Sequence, residues 1–235
     1  MTATYFTCTG AVQADSTNAL FAFRLDEASG STSAADFSPQ QTPGQYQGSM
    51  TSNRTNGACP RDSPGAYVLN GTTSYLTTTW RTGINTFSLE IWFKTTNAGG
   101  RLIGFGNTQT GASVQSDRHL YMSNTGQIVF GVNPKTIKTI ISPQAYNDGV
   151  WHHAIATLST AGMKLYLDGQ NVASDPTTTT AQDFNGHWRI GYDTLNGWGA
   201  TQPTNFFFNG SLRFASVYPM ELTPTQIFSH YNAGR

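Results

Sequence analysis

The sequence predicts an all-β fold, an antiparallel β-sandwich with one short C-terminal helix. Three observations carry this. Residues 87–94, Phe-Ser-Leu-Glu-Ile-Trp-Phe-Lys, alternate and set Phe87, Leu89, Ile91 and Phe93 on one face of a half-buried strand. Asp168-Gly169 separates Leu165-Tyr166-Leu167 from Gln170-Asn171-Val172, and Asp-Gly between alternating apolar residues is a strong hairpin signal. Short apolar runs recur along the chain with Gly, Pro or Asn between them, the pattern of a sandwich.

In chain order, residues 21–25 alternate and read as the first strand, ending at Asp26-Glu27. Residues 28–64 carry Gly, Ser, Pro and Gln and read as a long loop. Tyr67-Val68-Leu69 and Tyr75-Leu76-Thr77 flank Asn70-Gly71, a second hairpin. After the 87–94 strand come runs at 101–105, 119–122, 128–132 and 139–141. Asp148-Gly149 leads into a strand over 151–158, followed by runs at 163–167, 187–191 and 212–218. A helix is predicted after Thr223: a good N-cap, Pro224 in the first helical position, and Gln226 completing a capping box ahead of Ile227, Phe228 and Tyr231. It should stop near Gly234. No Pro/Ser linker divides the chain, so residues 1–235 read as one domain.

The 14 Phe, 10 Tyr and 5 Trp supply a sizeable core for 235 residues. Charged residues are only 11%, with 13 basic balancing 13 acidic, and Thr, Ser, Asn and Gln carry the polar surface. Such a surface argues against nucleic-acid binding, where Lys and Arg must neutralise phosphates. It argues equally against docking on anionic lipid. The longest apolar runs, such as Phe206-Phe207-Phe208, are too short to insert into a membrane. Met1 followed by polar residues reads as the start of a mature segment whose leader has been removed. Two cysteines, Cys8 and Cys59, with no CxxC, suggest one disulfide pinning a loop-rich 1–65 region in an exported protein. Buried free thiols are the alternative. The sequons at Asn53, Asn70 and Asn209 are what chance gives in so Asn- and Thr-rich a chain.

Five histidines invite a metal or acid–base reading. His152 and His153 are adjacent on a strand and point to opposite faces, so they cannot share a metal. His119, His187 and His230 are scattered, and all five read as structural or surface residues. A glycosidase needs two facing carboxylates. Here Glu90 stands alone on its strand face beside Ser88 and Trp92, while Asp26 and Glu27 are adjacent and diverge. No nucleophile elbow, Walker loop or Rossmann glycine set is present.

The "FSLEIWFKT" strand at 87–95, "NDGVWHHAIAT" at 147–157 and "MKLYLDGQ" at 163–170 closely resemble the laminin-G-like branch of the concanavalin A-like jelly rolls, from about Leu20 to the C-terminus. The resemblance implies a two-sheet jelly roll and raises calcium as a cofactor. Relatives often show an Asp-x-Ser-Gly-Asn turn; Asp36-Phe37-Ser38-Pro39-Gln40 keeps the Asp and Ser only. Relatives also often carry Ile-Asp-Glu on the last strand, where this chain has Leu212-Arg213-Phe214, a cation in place of a carboxylate. Fewer anionic ligands weaken a calcium site, so the expected ligands are Asp26 and Asp36.

Ligand-facing candidates lie in two loops. Residues 106–109 with 116–119, and residues 191–198, mix aromatic faces with amides, carboxylates and guanidinium, the mixture that sugars require. Trp198 is expected to supply the stacking face, with Asn107, Asp117, Arg118, Tyr192 and Asn196 around it. The alternative is that Asp117-Arg118 is a structural ion pair and Trp198 a loop anchor. The expected function is a non-catalytic, lectin-like adhesion module, secreted or at a cell surface, that binds glycan or a cell-surface protein. A surface or filament subunit without a small ligand, and a divergent glycosidase, are the alternatives.

Overall fold

The computed structural model describes residues 7–53 and 58–235. Helix α1 is Cys8–Asp15. It is followed by β1 (Phe21–Phe23), β2 (Ser33–Ala34), β3 (Gly44–Gln47), β4 (Thr51–Ser52), β5 (Tyr67–Asn70) and β6 (Tyr75–Thr77). Then come β7 (Phe87–Lys94), β8 (Arg101–Gly106), β9 (Ser116–Met122), β10 (Gln127–Val132) and β11 (Lys138–Ala145). The chain closes with β12 (His152–Ser159), β13 (Gly162–Leu167), β14 (Gln170–Asp175), β15 (His187–Ile190), β16 (Asn209–Tyr218) and α2 (Pro224–Gly234).

Two antiparallel sheets face each other. The first runs β14-β13-β12-β7-β16-β5-β4, with β1 also paired to β16. The second runs β11-β10-β9-β8-β15-β6-β3-β2. Phe87, Leu89, Ile91 and Phe93 point into the space between them, as their alternation predicts, and meet Phe105, Phe130 and Trp188 from the second sheet. The predicted hairpin at Asp168-Gly169 joins the paired strands β13 and β14. The second predicted hairpin does not form: Asn70-Gly71 turns the chain from β5 in the first sheet to β6 in the second, because β5 pairs with β16 and β4 while β6 pairs with β15 and β3. Asp168 and Gly169 both have positive φ, at 51° and 78°, as a tight primed turn requires. Among the described residues, no helix is long and apolar enough to cross a membrane.

Three features depart from the expectations. The first strand stops at Phe23, because Leu25 takes a φ of 61° and leaves the sheet. The 28–64 stretch holds three short strands, β2 to β4, which edge the sheets and are too short to show a period. An N-terminal helix, α1, joins the expected C-terminal one. Its own sequence is weakly amphipathic and carries Gly10, so tertiary partners make it. Thr7 caps it through Oγ1, and the Asp62 carboxylate accepts from the backbone N–H groups of Cys8 and Thr9 at 2.8 and 3.2 Å. The Cys8–Cys59 disulfide ties it down. The Met1 reading, and Arg54 and Thr55 of the first sequon, lie outside the described residues.

Both helices roof the outer face of the first sheet, so β7 is buried on both faces rather than half-buried. Val12 and Ile227 cover Trp92, Ile155, Tyr166, Phe214 and Tyr218. The predicted capping box starts α2, with Gln226 N–H donating to Thr223 Oγ1 and Thr223 N–H to Gln226 Oε1. Within this apolar layer sits one polar network. The Glu90 carboxylate lies 2.8 Å from His153 Nε2 and 3.0 Å from His230 Nδ1, and accepts from Tyr218 Oη at 2.5 Å. His230 Nε2 reaches Asp15 at the end of α1, at 2.9 Å, and Gln226 donates to the same carboxylate. Five elements are joined through one buried acid. His230, read from the sequence as a scattered structural or surface residue, thus holds two carboxylates that its position in the chain could not reveal.

Burial opposes the charging of His230, but Glu90 and then Asp15 outweigh it and hold the imidazole up at about 10. Burial likewise opposes the ionised Glu90, yet His230 and His153 keep it well below the usual carboxylate range. A raised histidine stabilises fully below its unfolded value and loses that contribution as pH rises through about 10. A depressed carboxyl stabilises above its unfolded value and loses that contribution as pH falls. Melting temperature should therefore peak at mildly acidic pH and decline on both sides. In His230→Gln the decline between about pH 6.5 and 10 should flatten, as melting curves across pH will show.

The disulfide spans 51 residues, a loop whose closure contributes about 4 kcal/mol in the chain-entropy model. For a chain of this size each kcal/mol moves the melting temperature by about 2–4 °C. Reductant should lower it by about 10 °C; an unchanged curve would remove the structural role of the cross-link.

Candidate functional site

Among the described residues, no α-helix packs over the outer face of the second sheet. Strand register places Gln45, Thr77 and Arg189 side by side across β3, β6 and β15, with Gln47 beside Tyr75. Their neighbours Tyr46, Leu76, Trp188 and Ile190 point into the core, so these side chains point outward. Two loops, 107–115 and 191–208, then divide this face.

Over β8, β9 and β10 the loops cover it. Trp198 sits edge-on to the His119 ring at 4.2 Å between centroids and lies flush on Gly131, where an added Cβ would stand 2.6 Å from the indole. Leu195, Tyr121 and Val129 complete a small apolar cluster, and Tyr121 Oη bonds Thr201 Oγ1 at 2.5 Å. Beneath lies a buried carboxylate, Asp193, 3.1 Å from Arg101 and 3.4 Å from Arg189. It also accepts from the Ser113 N–H and hydroxyl at 2.9 and 2.7 Å, which ties the two loops together. Burial draws the Arg101 guanidinium down to about 10 although Asp193 opposes it. Burial, and then Arg101, push His119 well below its ordinary value, so it packs as a neutral ring. Gly104 and Gly106 are required here, because a Cβ would collide with Arg101 at one and with Asp193 and Ser113 at the other.

Over β3 the face stays open at Gln45 and Gln47, while Tyr75, Thr77 and Arg189 of β6 and β15 are buried. At one end Tyr192 stacks on Phe207 with centroids 3.6 Å apart and planes 7° from parallel, beside Tyr75. The Arg189 guanidinium lies over Tyr75 and Tyr192 at 4.8 and 5.3 Å. At the other end Trp80, 57% exposed, stands edge-on to His187 at 5.3 Å. His187 Nδ1 lies 2.8 Å from the carbonyl of Thr78, which can only accept, so Nδ1 carries the proton. Between the two ends lie the amides of Gln45, Gln47 and Gln109, with Gln109 Nε2 donating to Gln45 Oε1 at 3.2 Å. Tyr75 and Trp80 are five residues apart, a reach of at most about 18 Å. The result is a strip with an aromatic group at each end and neutral amides between.

The residues expected to meet ligand distribute unevenly over this face. Tyr192 is on the strip. Asn196 is exposed at the tip of the covering loop, and Asn107 Oδ1 accepts from the Val114 and Gln115 N–H groups to shape the 107–115 loop. The 107–115 and 191–198 loops do converge, but through buried groups. Trp198, at 4% exposure, is a loop anchor and offers no stacking face, because His119 and Gly131 occupy its surface. Asp117 and Arg118 are buried as well. Asp117 accepts from the backbone of Asn133 and Gln182, while Arg118 donates to the carbonyls of Ile84 and Gln182 and lies over Phe105. They are a structural pair, as the alternative reading held. Trp80 was missed. Its signal lay in Thr77-Thr78-Thr79-Trp80-Arg81-Thr82-Gly83, a tryptophan with no apolar neighbour to be buried with.

The donors around Asp26 and Asp36 do not fit calcium. Asp36 already accepts from the N–H groups of Ala22, Ser38 and Thr42 and from the Ser38 hydroxyl, at 2.9–3.0 Å. Asp26 accepts from Ser63 Oγ at 2.6 Å and lines a cleft of about 80 Å³ that also holds Arg24. The buried Arg213 donates to the carbonyls of Ala58 and Ser63 and feels the Asp26 charge, so the cation of this region is a guanidinium. Among the described residues, the metal-ligating side chains that gather in threes are Cys8, Cys59 and Asp62, and the two cysteines are bonded to each other.

A two-sheet antiparallel jelly roll with an open, ring-and-amide-lined outer face defines a sandwich of the lectin type. The chain belongs to the concanavalin A-like lectin/glucanases superfamily, whose laminin-G family model matches residues 70–228. Domain 4 of AbnA, a GH43 extracellular arabinanase from Geobacillus stearothermophilus, solved with arabinotriose, superposes with a TM-score of 0.60 at 14% identity, covering 90% of this chain and 97% of that domain. The binding domain of botulinum neurotoxin DC, solved with SialylT, superposes with a TM-score of 0.63 at 14% identity, covering 92% of this chain. The receptor binding domain of the C/D mosaic serotype gives 0.61 at 16% identity and 91% coverage. This chain spans about half of each toxin domain, 52% and 50%. At such identities the likeness is one of fold. No curated protein sequence matches the chain.

Since Trp198 fills a packed site, Trp198→Ala should cost about 3–5 kcal/mol of stability, read from denaturant unfolding. Wild-type stability in that variant would return Trp198 to the list of surface groups.

Proposed function

We propose that this chain is a non-catalytic, lectin-like module, secreted or displayed at a cell surface, that binds glycan along the open strip of the second sheet. The observation that carries the reading is Trp80. A tryptophan 57% exposed, on the same open face as the stacked Tyr192–Phe207 pair and three glutamine amides, is matched to a ligand with apolar ring faces and a hydroxyl rim. The superfamily, and neighbours solved with arabinotriose and SialylT, support glycan as the ligand class. The Cys8–Cys59 bridge supports an oxidising compartment. Glu90 supports the non-catalytic reading, because its carboxylate is buried and enclosed by His153, His230 and Tyr218 beneath α2.

An exposed aromatic anchor typically contributes about 2 kcal/mol, or roughly thirtyfold in affinity. On a glycan array the parent should be retained by at least one glycan. Trp80→Ala should weaken that retention by about thirtyfold with an unchanged melting temperature. A parent that binds no glycan, or a Trp80→Ala variant that binds as well as the parent, would sink the proposal.

A further inference from the structure

At the rim of the first sheet, at the far end of β7 from the loop that bears Trp80, lies a cleft of about 220 Å³. It is lined by Lys94, Thr95, Thr96, Asn97, Asn209 and Ser211, with bare backbone at Gly149 and Gly210. At about 30 Å³ per water it has room for some seven waters, close to the needs of one sugar ring. Its construction is specific. Lys94 closes β7 directly opposite Ser211 of β16, which puts an ammonium and a hydroxyl on the same face. Thr95 Oγ1 donates to the Asn209 carbonyl at 2.5 Å and accepts from Asn97 N–H at 2.9 Å, while Gly149 N–H donates to the Thr95 carbonyl at 2.9 Å. Thr95 therefore pins three walls. A Cβ at Gly210 would collide with the Lys94 carbonyl, so the floor must stay free of side chains there.

The lining carries hydroxyls, amides and a single charge, and that charge is positive. Lys164, by contrast, has Glu221 at 2.6 Å. No carboxylate lines the cleft, and Lys94 enters no ion pair with a described residue. Asp148, next to Gly149 of the lining, is engaged by the Val150 N–H and by His152. A compact, flexible ammonium beside hydroxyl and amide partners suits a ligand that presents one negative charge on a polyhydroxylated ring.

We infer that the Lys94 cleft is a second binding site, for a single anionic sugar unit such as a uronate. It lies at the opposite end of β7 from the loop that bears Trp80, about 25 Å along the strand, while its lining residue Asn209 follows Phe207 of the strip by two residues. A module with both can hold a neutral stretch on one face and an acidic unit on another.

Amide chemical shifts recorded during titration with glucuronate test this. Saturable shifts are expected at Thr95, Thr96, Asn97, Gly149 and Ser211, weakening as salt is raised. Glucose and acetate, which lack the charge and the ring respectively, should bind at least tenfold more weakly. Lys94→Gln should lose the response at least tenfold, and Lys94→Arg should keep most of it. Trp80→Ala should respond like the parent, whatever the array shows for the strip. The inference is overturned by an absence of saturable shifts, by glucose or acetate matching glucuronate, by an unaffected Lys94→Gln, or by a loss in Trp80→Ala.

Discussion

Asp193 is one carboxylate set between two fully buried guanidiniums, and the arrangement of the second sheet follows from it. Arg101 and Arg189 cannot be buried on an open sheet face without an anion. The anion comes from the 191–208 loop, so that loop must lie across β8 and β15. Ser113 hydrogen-bonds the same carboxylate and brings the 107–115 loop in behind it. With both loops held over one half of the face, Trp198 and Leu195 find their packing partners there, and β3 keeps Gln45 exposed. The strip is the part of the face that these loops flank rather than cover, with Gln109 reaching Gln45 from one loop. Its Tyr192–Phe207 end is built from the covering loop itself, so the charge that closes one half also positions rings on the other.

The first sheet solves the same problem with helices. Glu90 is its buried anion and His230 the resident cation, and the network between them fixes α1 and α2 on the sheet. In both cases the desolvation of a charge is offset by several convergent partners rather than by one pair. Such networks fix geometry more than they add stability, since an apolar replacement of similar shape often holds a core as well.

This use of charge accounts for the chain's surface chemistry. Only 11% of its residues are charged, and Arg101, Arg118, Arg189, Arg213, Glu90, Asp117 and Asp193 are buried. What faces solvent on the strip is amide, hydroxyl and ring. Such a surface has little long-range field and recognises shape, hydroxyls and apolar ring faces at contact distance. Lys94 stands out against that background as a partly buried cation in a cleft lined by no carboxylate.

The sequence by itself determined most of the longer strands, the Asp168-Gly169 hairpin, the inward set Phe87, Leu89, Ile91 and Phe93, and the capped C-terminal helix. These depend on side-chain period, turn chemistry and capping, which are local and visible within about ten residues. The turn at Asn70-Gly71 instead crosses between the sheets, which long-range strand pairing decides. The Cys8–Cys59 pair was legible from cysteine arithmetic alone. Tertiary structure decided which polar residues are buried and which face water. Asp117, Arg118 and Trp198 have the composition of a sugar site, but loops distant in sequence cover them. Trp80 lies in a turn that shows no periodicity, and only the sheet register places it on the same face as Gln45 and Tyr75. Helix α1 needs Asp62 and the cross-link, and the partners of Glu90 come from residues 15, 153, 218 and 230. Long-range pairing brings such groups together, and no local pattern encodes it, because each charge depends on partners that only the closed sandwich supplies.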